Sequence, residues 1–167
     1  MLGLAQLPGK FCGTKMTDIV SAEKRSAMMA GIKGKNTKPE MTVRKALFAQ
    51  GFRFRLHYKK LPGNPDIVLP KHQVAIFVHG CFWHMHSNCK LSKIPSSRPE
   101  FWISKLKANA SRDKQSTSQL LQLGWRVLVI WECHLKSTAN VERLQISLSN
   151  WIRGQSAYGV MSELPDS

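Results

Sequence analysis

The stretch LPGNPDIVLPKHQVAIFVHG, residues 61–80, decides how this chain folds. LPGNP (61–65) is a turn by composition, with Pro to preset φ and Gly and Asn to accept left-handed backbone. DIVL (66–69) and QVAIFVH (73–79) then read as strands. The second is nearly all apolar, as a central strand covered on both faces must be. Working outward, TKPEMTVRKALFAQG (37–51) carries the marks of a helix: Thr37 caps, Pro39 sits in the first turn, Glu40 completes a T-x-x-E capping box and Gly51 stops it. Phe52, Phe54, Leu56 and Tyr58 alternate with Arg53, Arg55 and His57, which predicts a half-buried strand with a basic face. On the other side, Ser97-x-x-Glu100 around Pro99 predicts a second capping box, opening a long helical segment that ends before Gly124. WRVLVIW (125–131) is another buried strand, and Val141, Leu144, Leu148, Trp151 and Ile152 repeat at helical spacing. SAEKRSAMMAGI (21–32) predicts a further short helix. The order implies an α/β fold, a central mixed β-sheet flanked by helices on both faces.

The chain has 167 residues, enough for one domain with a proper core. We expect that domain over 17–153, a disordered extension over 1–16 (Met16 being an alternative start to Met1) and a flexible tail over 154–167. Lys and Arg number 25 against 10 Asp and Glu, a net charge of +15. A field of that sign draws polyanions, nucleic acid first and an anionic membrane surface second. Runs such as VLVIW (127–131) are far too short to cross a bilayer. The N-terminus lacks the pattern of a secretory signal, so a cytoplasmic, reducing setting is expected, where cysteines are metal ligands or free thiols.

HGCFWHMHSNC (79–89) holds three histidines, two cysteines and two large aromatics. Cys81-x4-His86-x2-Cys89 offers three zinc ligands, and Cys133 becomes the fourth if strand 125–131 lies beside strand 73–79. Buried free thiols are the competing reading. His79 and His84 stand outside that set and suit acid–base work near neutral pH, or simply polar packing. Asp66 is the one acid between Glu40 and Glu100, among ten Lys and Arg. Such a carboxylate can hold a hard divalent cation while phosphate supplies further ligands, although an Asp closing an Asn-Pro turn is equally ordinary. Phe82, Trp83 and Trp102 are placed to stack on or between bases, or to pack internally. Trp125, Trp131 and Trp151 lie in periodic patterns and read as core. Arg53, Arg55, Lys59 and Lys60 face phosphates or form a solvated basic face.

LPGNPD (61–66), IFVHGCFWH (76–84), RPEFW (98–102) and GWRVLVIWEC (124–133), with SAEKRSAMMAGIKGKNTKPE (21–40), resemble the very short patch repair (Vsr) endonucleases. The resemblance spans roughly residues 17–135 in unbroken order. It implies a restriction-endonuclease-like fold with a structural zinc site, and an Mg²⁺-dependent enzyme that nicks double-stranded DNA 5′ to the T of a T:G mismatch, the lesion left when 5-methylcytosine deaminates. By position it implies Asp66 and the Val78 carbonyl as Mg²⁺ ligands, and His84 as general base with His79 and Glu40 assisting. Cys81, His86, Cys89 and Cys133 would hold Zn²⁺, and Phe82, Trp83 and Trp102 would form an intercalating wedge. Partners would be mismatched DNA, then a repair polymerase and ligase acting on the product. A monomer in a bacterial-type cytoplasm, associated with the nucleoid, is expected. Two departures matter. Phe77-Val78-His79 stands where nucleases of this fold carry a second carboxylate and a lysine, and His86-x2-Cys89 is one residue longer than the family's tighter spacing, so His84 competes as a zinc ligand. The alternatives are a zinc-stabilised protein that binds distorted duplex without cutting it, and a restriction-type nuclease of the same fold.

Overall fold

A computed structural model describes residues 34–162, together with Ser21, Lys24, Ala27 and Gly31. The chain divides into two compact units, residues 1–32 and 33–167, and the second holds the sheet. The expected extension over 1–16 lies outside the described residues. So does most of the helix expected over 21–32, of which Lys24 and Ala27 are helical.

From Lys38 onward the described residues form three α-helices and five strands in order: α1 (Lys38–Ala49), β1 (Arg55–Leu56), β2 (Ile67–Leu69), β3 (Val74–His79), α2 (Pro99–Gln122), β4 (Arg126–Trp131), α3 (Thr138–Arg153) and β5 (Tyr158–Met161). They make one mixed sheet in the order β1-β2-β3-β4-β5. β2 runs antiparallel to both of its neighbours, β1 and β3, while β4 runs parallel to β3 and β5 parallel to β4. Alternation along the strands splits the core in two. Ile67, Leu69, Val74, Ile76, Leu128 and Ile130 pack with Val43 and Leu47 of α1 and Leu144, Leu148 and Ile152 of α3. Ala75, Phe77, Val127 and Val129 point the other way, toward Leu120 of α2. The sheet is thus sandwiched between helices, as the element order predicts.

Three expectations are corrected. The strand predicted over 52–58 shrinks to Arg55–Leu56, both exposed. Phe52 turns into the core at 6% exposure, and the chain bends at His57 (φ 46°), so the alternation never becomes a two-faced strand. The second capping box does not form. Arg98, at φ 53°, is the N-cap without a side-chain cap bond, and Pro99 is the first helical residue. Glu100 therefore stands one position short of where it could reach back. Finally, the stretch set aside as a tail contains β5. Gly159 lets that strand lie against the Trp151 indole, where a Cβ would collide with Nε1. Arg126 secures the return, donating to the carbonyls of Trp151 (2.7 Å), Ile152 (2.8 Å) and Ser156 (2.9 Å). Residues 163–167 lie outside the described residues.

Parallel pairing of β3 with β4 sets the position of the candidate site residues. Their last residues, His79 and Trp131, are register partners, and Glu132 N–H donates to the His79 carbonyl at 2.9 Å. The motif loop after β3 and Cys133 after β4 therefore leave the sheet at one end. Antiparallel β2 starts at that same end and brings Asp66 to it. Gly63 (φ 72°) folds the preceding turn onto α2, where a Cβ would sit 2.7 Å from the Ser116 Cβ.

Candidate active site and metal centre

At this end of the sheet the Asp66 carboxylate lies against the next strand, its Oδ2 accepting the Val78 N–H at 2.8 Å. Burial is the largest influence on Asp66 and raises its pKa above the ordinary 3.8, and nearby Glu40 adds to the rise. The Val78 hydrogen bond and the neighbouring His57 and His84 oppose it. A carboxylate desolvated beside imidazoles and a peptide group is short of positive charge, so the site fits a hard cation.

His84 is held from two sides. Its Nδ1 lies 2.6 Å from Asp113 Oδ2, and its ring stacks on His79 with centroids 3.9 Å apart and planes 1° from parallel. With Nδ1–H donating to the carboxylate, Nε2 keeps its lone pair, the arrangement of an oriented general base. His79 is buried, and desolvation pushes its pKa down to about 3, so it stays neutral beside His84.

Glu40 and His57 complete this end of the site, and ligand atoms of Glu40, His57 and Asp66 all lie within 4.8 Å of one another. The Glu40 carboxylate is nevertheless heavily engaged. Oε1 accepts from Thr37 N–H (3.3 Å) and Thr37 Oγ1 (3.0 Å), closing the predicted capping box. Oε2 accepts from Asn36 N–H (3.1 Å) and from buried Arg44 (Nη2, 2.6 Å). Arg44 Nη2 also lies 3.1 Å from His57 Nε2, and Asp66 accepts the His57 N–H through its backbone carbonyl at 3.0 Å.

In a separate group Cys81, His86, Cys89 and Cys133 converge, one ligand atom from each within 4.8 Å of the others. Cys133 Sγ and His86 Nδ1 are 3.4 Å apart. Tetrahedral zinc with bonds of about 2.0–2.3 Å requires ligands roughly 3.5–4 Å apart, so the four donors fit that ion with small adjustment. Cys81, His86 and Cys133 are buried, and burial raises the Cys81 thiol. All three cysteines are free, with no disulfide competing. The longer His86-x2-Cys89 spacing is absorbed by left-handed backbone at Asn88 (φ 56°). The structure groups His86 with the cysteines and His84 with His79 and Asp113.

Phe82, Trp83 and Trp102 form a half-exposed cluster. Their centroids lie 5.1 Å (Phe82–Trp83), 5.4 Å (Phe82–Trp102) and 6.1 Å (Trp83–Trp102) apart, with rings edge to face. The basic group is divided. Arg53 lines a separate cleft with Lys71, His72 and Arg153, whereas Arg55 lies over the Tyr58 ring at 5.6 Å. Lys59 and Lys60 are exposed.

Sequence reasoning named Trp102 but missed the residues that share its helix face. Trp102, Lys105, Asn109 and Asp113 recur every three or four residues, one face of α2. That face meets the motif loop throughout: Lys105 Nζ stands 5.6–5.9 Å from the Trp83, Phe101 and Trp102 rings, and Asn109 donates to the Trp83 carbonyl at 3.1 Å. The available signal was Asp113, the one acid between Glu100 and Glu132. His57 and Arg44 carried none, because their meeting depends on the bend at His57.

Comparisons with known proteins agree with this geometry. A family model described as DNA mismatch endonuclease Vsr matches residues 17–91. The chain is 46% identical over 127 residues to the type II nicking enzyme V.XorIIP of Xanthomonas oryzae pv. oryzae, covering 76% of this chain and 93% of that protein. It is 48% identical over 124 residues to the type II nicking enzyme V.NmeAIP of Neisseria meningitidis serogroup A, covering 74% and 88%. With the DNA mismatch endonuclease Vsr of Escherichia coli it shares 41% identity over 144 residues, covering 85% and 92%. Sequence, restriction-endonuclease-like sheet and site geometry therefore converge: this chain belongs to the Vsr family of DNA mismatch endonucleases.

Proposed function

We propose that the protein nicks duplex DNA 5′ to the T of a T:G mismatch, using Mg²⁺ and a structural Zn²⁺. The observation that carries this reading is the pairing of a desolvated Asp66 with a histidine base tied to its own carboxylate. Mere binding of distorted duplex gains nothing from either. Asp66, with the Val78 carbonyl, would hold the cation. Bound there, Mg²⁺ supplies charge neutralisation at the scissile phosphate and leaving oxygen. His84 Nε2 takes a proton from the attacking water, and Asp113 stabilises the resulting imidazolium. Neutral His79 supports the His84 ring by stacking. Phe82, Trp83 and Trp102 enter the duplex where pairing is weak, since unstacking costs least at a mismatch. The net charge of +15 brings the DNA in, with Arg55, Lys59 and Lys60 on phosphates. The product passes to a polymerase and ligase, and the protein works as a monomer at the nucleoid in the cytoplasm. No helix among the described residues is long and apolar enough to cross a membrane.

The test is a labelled duplex with one T:G pair, incubated with protein and Mg²⁺ beside its fully paired counterpart. Nicking of the mismatched strand alone is the expected result. Binding without cleavage means a recognition protein, and double-strand cutting of paired DNA means a restriction-type nuclease.

Glu40 was expected to assist catalysis or to cap its helix, and its four hydrogen bonds favour the cap. Glu40→Gln retains acceptor oxygen but weakens the hold on Arg44, a change of about 1–2 kcal/mol in stability. We expect the melting temperature to fall by several degrees and nicking to stay within about tenfold. A loss beyond a hundredfold with unchanged melting would make Glu40 a catalytic group.

A further inference from the structure

One residue between the two centres has no part in either ligand set or in the chemistry. Trp131, the last residue of β4, lies with its ring parallel to that of His86, centroids 4.0 Å apart and planes 6° from parallel. It also meets His79 edge to face at 5.3 Å and 71°. His79 stacks on His84 at 3.9 Å. Four rings thus run without a gap from a zinc-ligand candidate to the general base: His86, Trp131, His79, His84. The backbone enforces the same order, because Trp131 is the register partner of His79 and stands two residues before Cys133.

We infer that Trp131 is a positioning residue, which transfers the rigidity of the zinc centre to the His79–His84 pair and so fixes the base against the scissile phosphate. The inference rests on the proposed nicking reaction. Its physical basis is that a packed stack of flat rings resists tilt and slip. Aromatic pairs favour such offset and edge-to-face contacts by about 0.5–1.5 kcal/mol each beyond area burial. The His84 ring is otherwise held by one hydrogen bond to Asp113, across a loop without regular structure, and a single bond leaves the ring free to rock about it. His79 supplies the missing face, and Trp131 holds His79 in place. Metal centres elsewhere use outer partners to orient their ligands. In this chain the orientation also passes outward, from ligand to catalytic base.

Trp131→Met keeps most of the volume and removes the ring, and Trp131→Ile, suited to a strand end, takes its place should the methionine variant not fold. Trp131→Phe keeps a ring. The readouts are zinc content, the cobalt-substituted absorption spectrum, affinity for T:G duplex in Ca²⁺, the single-turnover nicking rate and the ring-proton NMR signals of the histidines. The non-aromatic variant should retain full zinc, an unchanged cobalt spectrum and duplex affinity within about twofold. Its nicking rate should fall roughly 10- to 100-fold, the range expected when a reacting group is misplaced by about 1 Å. Trp131→Phe should restore most of the rate. The His79 and His84 ring signals, shifted by mutual stacking in the parent protein, should move toward free-imidazole positions in the non-aromatic variant alone. A non-aromatic variant that nicks at the parent rate with unmoved ring signals overturns the inference. So does one whose rate falls only with zinc content or duplex affinity. If the parent protein nicks no duplex, the proposed reaction fails, and the ring signals still decide whether Trp131 orders the histidines.

Discussion

Asp66→Asn is expected to reduce nicking of T:G duplex by about a thousandfold or more while making the protein more stable. The loss follows from the place of the carboxylate. It lies directly before β2 with its Oδ2 on the Val78 N–H of β3, and a cation held there is worth several kcal/mol to the transition state, at about 1.4 kcal/mol per tenfold in rate. The gain follows from burial, which raises the folded-state pKa of Asp66 above 3.8. The folded chain therefore holds that proton more tightly than the unfolded chain. Stability of the Mg²⁺-free protein falls as pH rises from the unfolded value through the raised folded one, and stays lower above it. Asparagine carries no charge to desolvate, and its amide oxygen still accepts the Val78 N–H. In buffer with zinc but no magnesium, the variant should melt about 2–4 °C above the parent at neutral pH, on the scale of 1 kcal/mol. Melting should also lose the decline that the parent shows from acid toward neutral pH. A variant that melts lower throughout, or that nicks normally, would show Asp66 to be a structural turn residue.

The same end of the sheet shows why some features were legible in the residues and others were not. β2, β3, β4 and α3 declare themselves through apolar run length or 3.6-residue spacing, and α2 through its Pro99 start and Gly124 stop, all of them local properties. β5 does not, because four residues with a central glycine become a strand only through β4 and the Trp151 face. The convergence of the three cysteines with His86 was legible because three of these residues lie within nine positions and the fourth follows a strand that had to be central. The partner of His84 was not. Asp113 is 29 residues away on α2, and only the turn at Gly63 and the packing of Leu120 settle which face of that helix meets the motif loop. Arg44 and His57 are a harder case. Arg44 reads as an ordinary exposed helix residue, yet it is 7% exposed and binds both Glu40 and His57. A left-handed residue outside glycine, like His57, leaves almost no trace in composition.

Cys133→Ser should have the other large effect, and it separates a zinc centre from a nest of buried thiols. A thiol that merely packs is a small apolar group, and its replacement by serine costs about 1–3 kcal/mol, the penalty of a poorly bonded buried hydroxyl. A zinc thiolate is different in kind, because metal affinity is folding free energy. Losing one of four ligands weakens the hold on an ion that joins the motif loop, through Cys81, His86 and Cys89, to the end of β4. The helices and sheet keep their own core, so the domain should still fold. Its melting temperature should drop by more than about 10 °C, and zinc in the purified protein should fall from one equivalent to a small fraction. Nicking should vanish with it, because Phe82, Trp83 and His84 all ride on the loop that the ion pins. Cys12→Ser, outside the quartet, is the control and should change none of these. The result that would falsify the zinc assignment is a Cys133→Ser protein with a small melting shift, and a parent with less than stoichiometric zinc. Without the ion the loop would rest on packing and hydrogen bonds: His84 N–H to Gly80 (3.2 Å), His86 N–H to Cys81 (2.9 Å), Asn109 to the Trp83 carbonyl (3.1 Å), the His84–Asp113 pair, and the ring contacts of Phe82, Trp83, His84 and His86. Each such hydrogen bond contributes about 1 kcal/mol, against a conformational entropy of about 1–2 kcal/mol for each of the loop's residues. A structural zinc would add a term of about 10 kcal/mol or more to that near balance, which is why the size of the melting shift separates an ion from a nest of thiols.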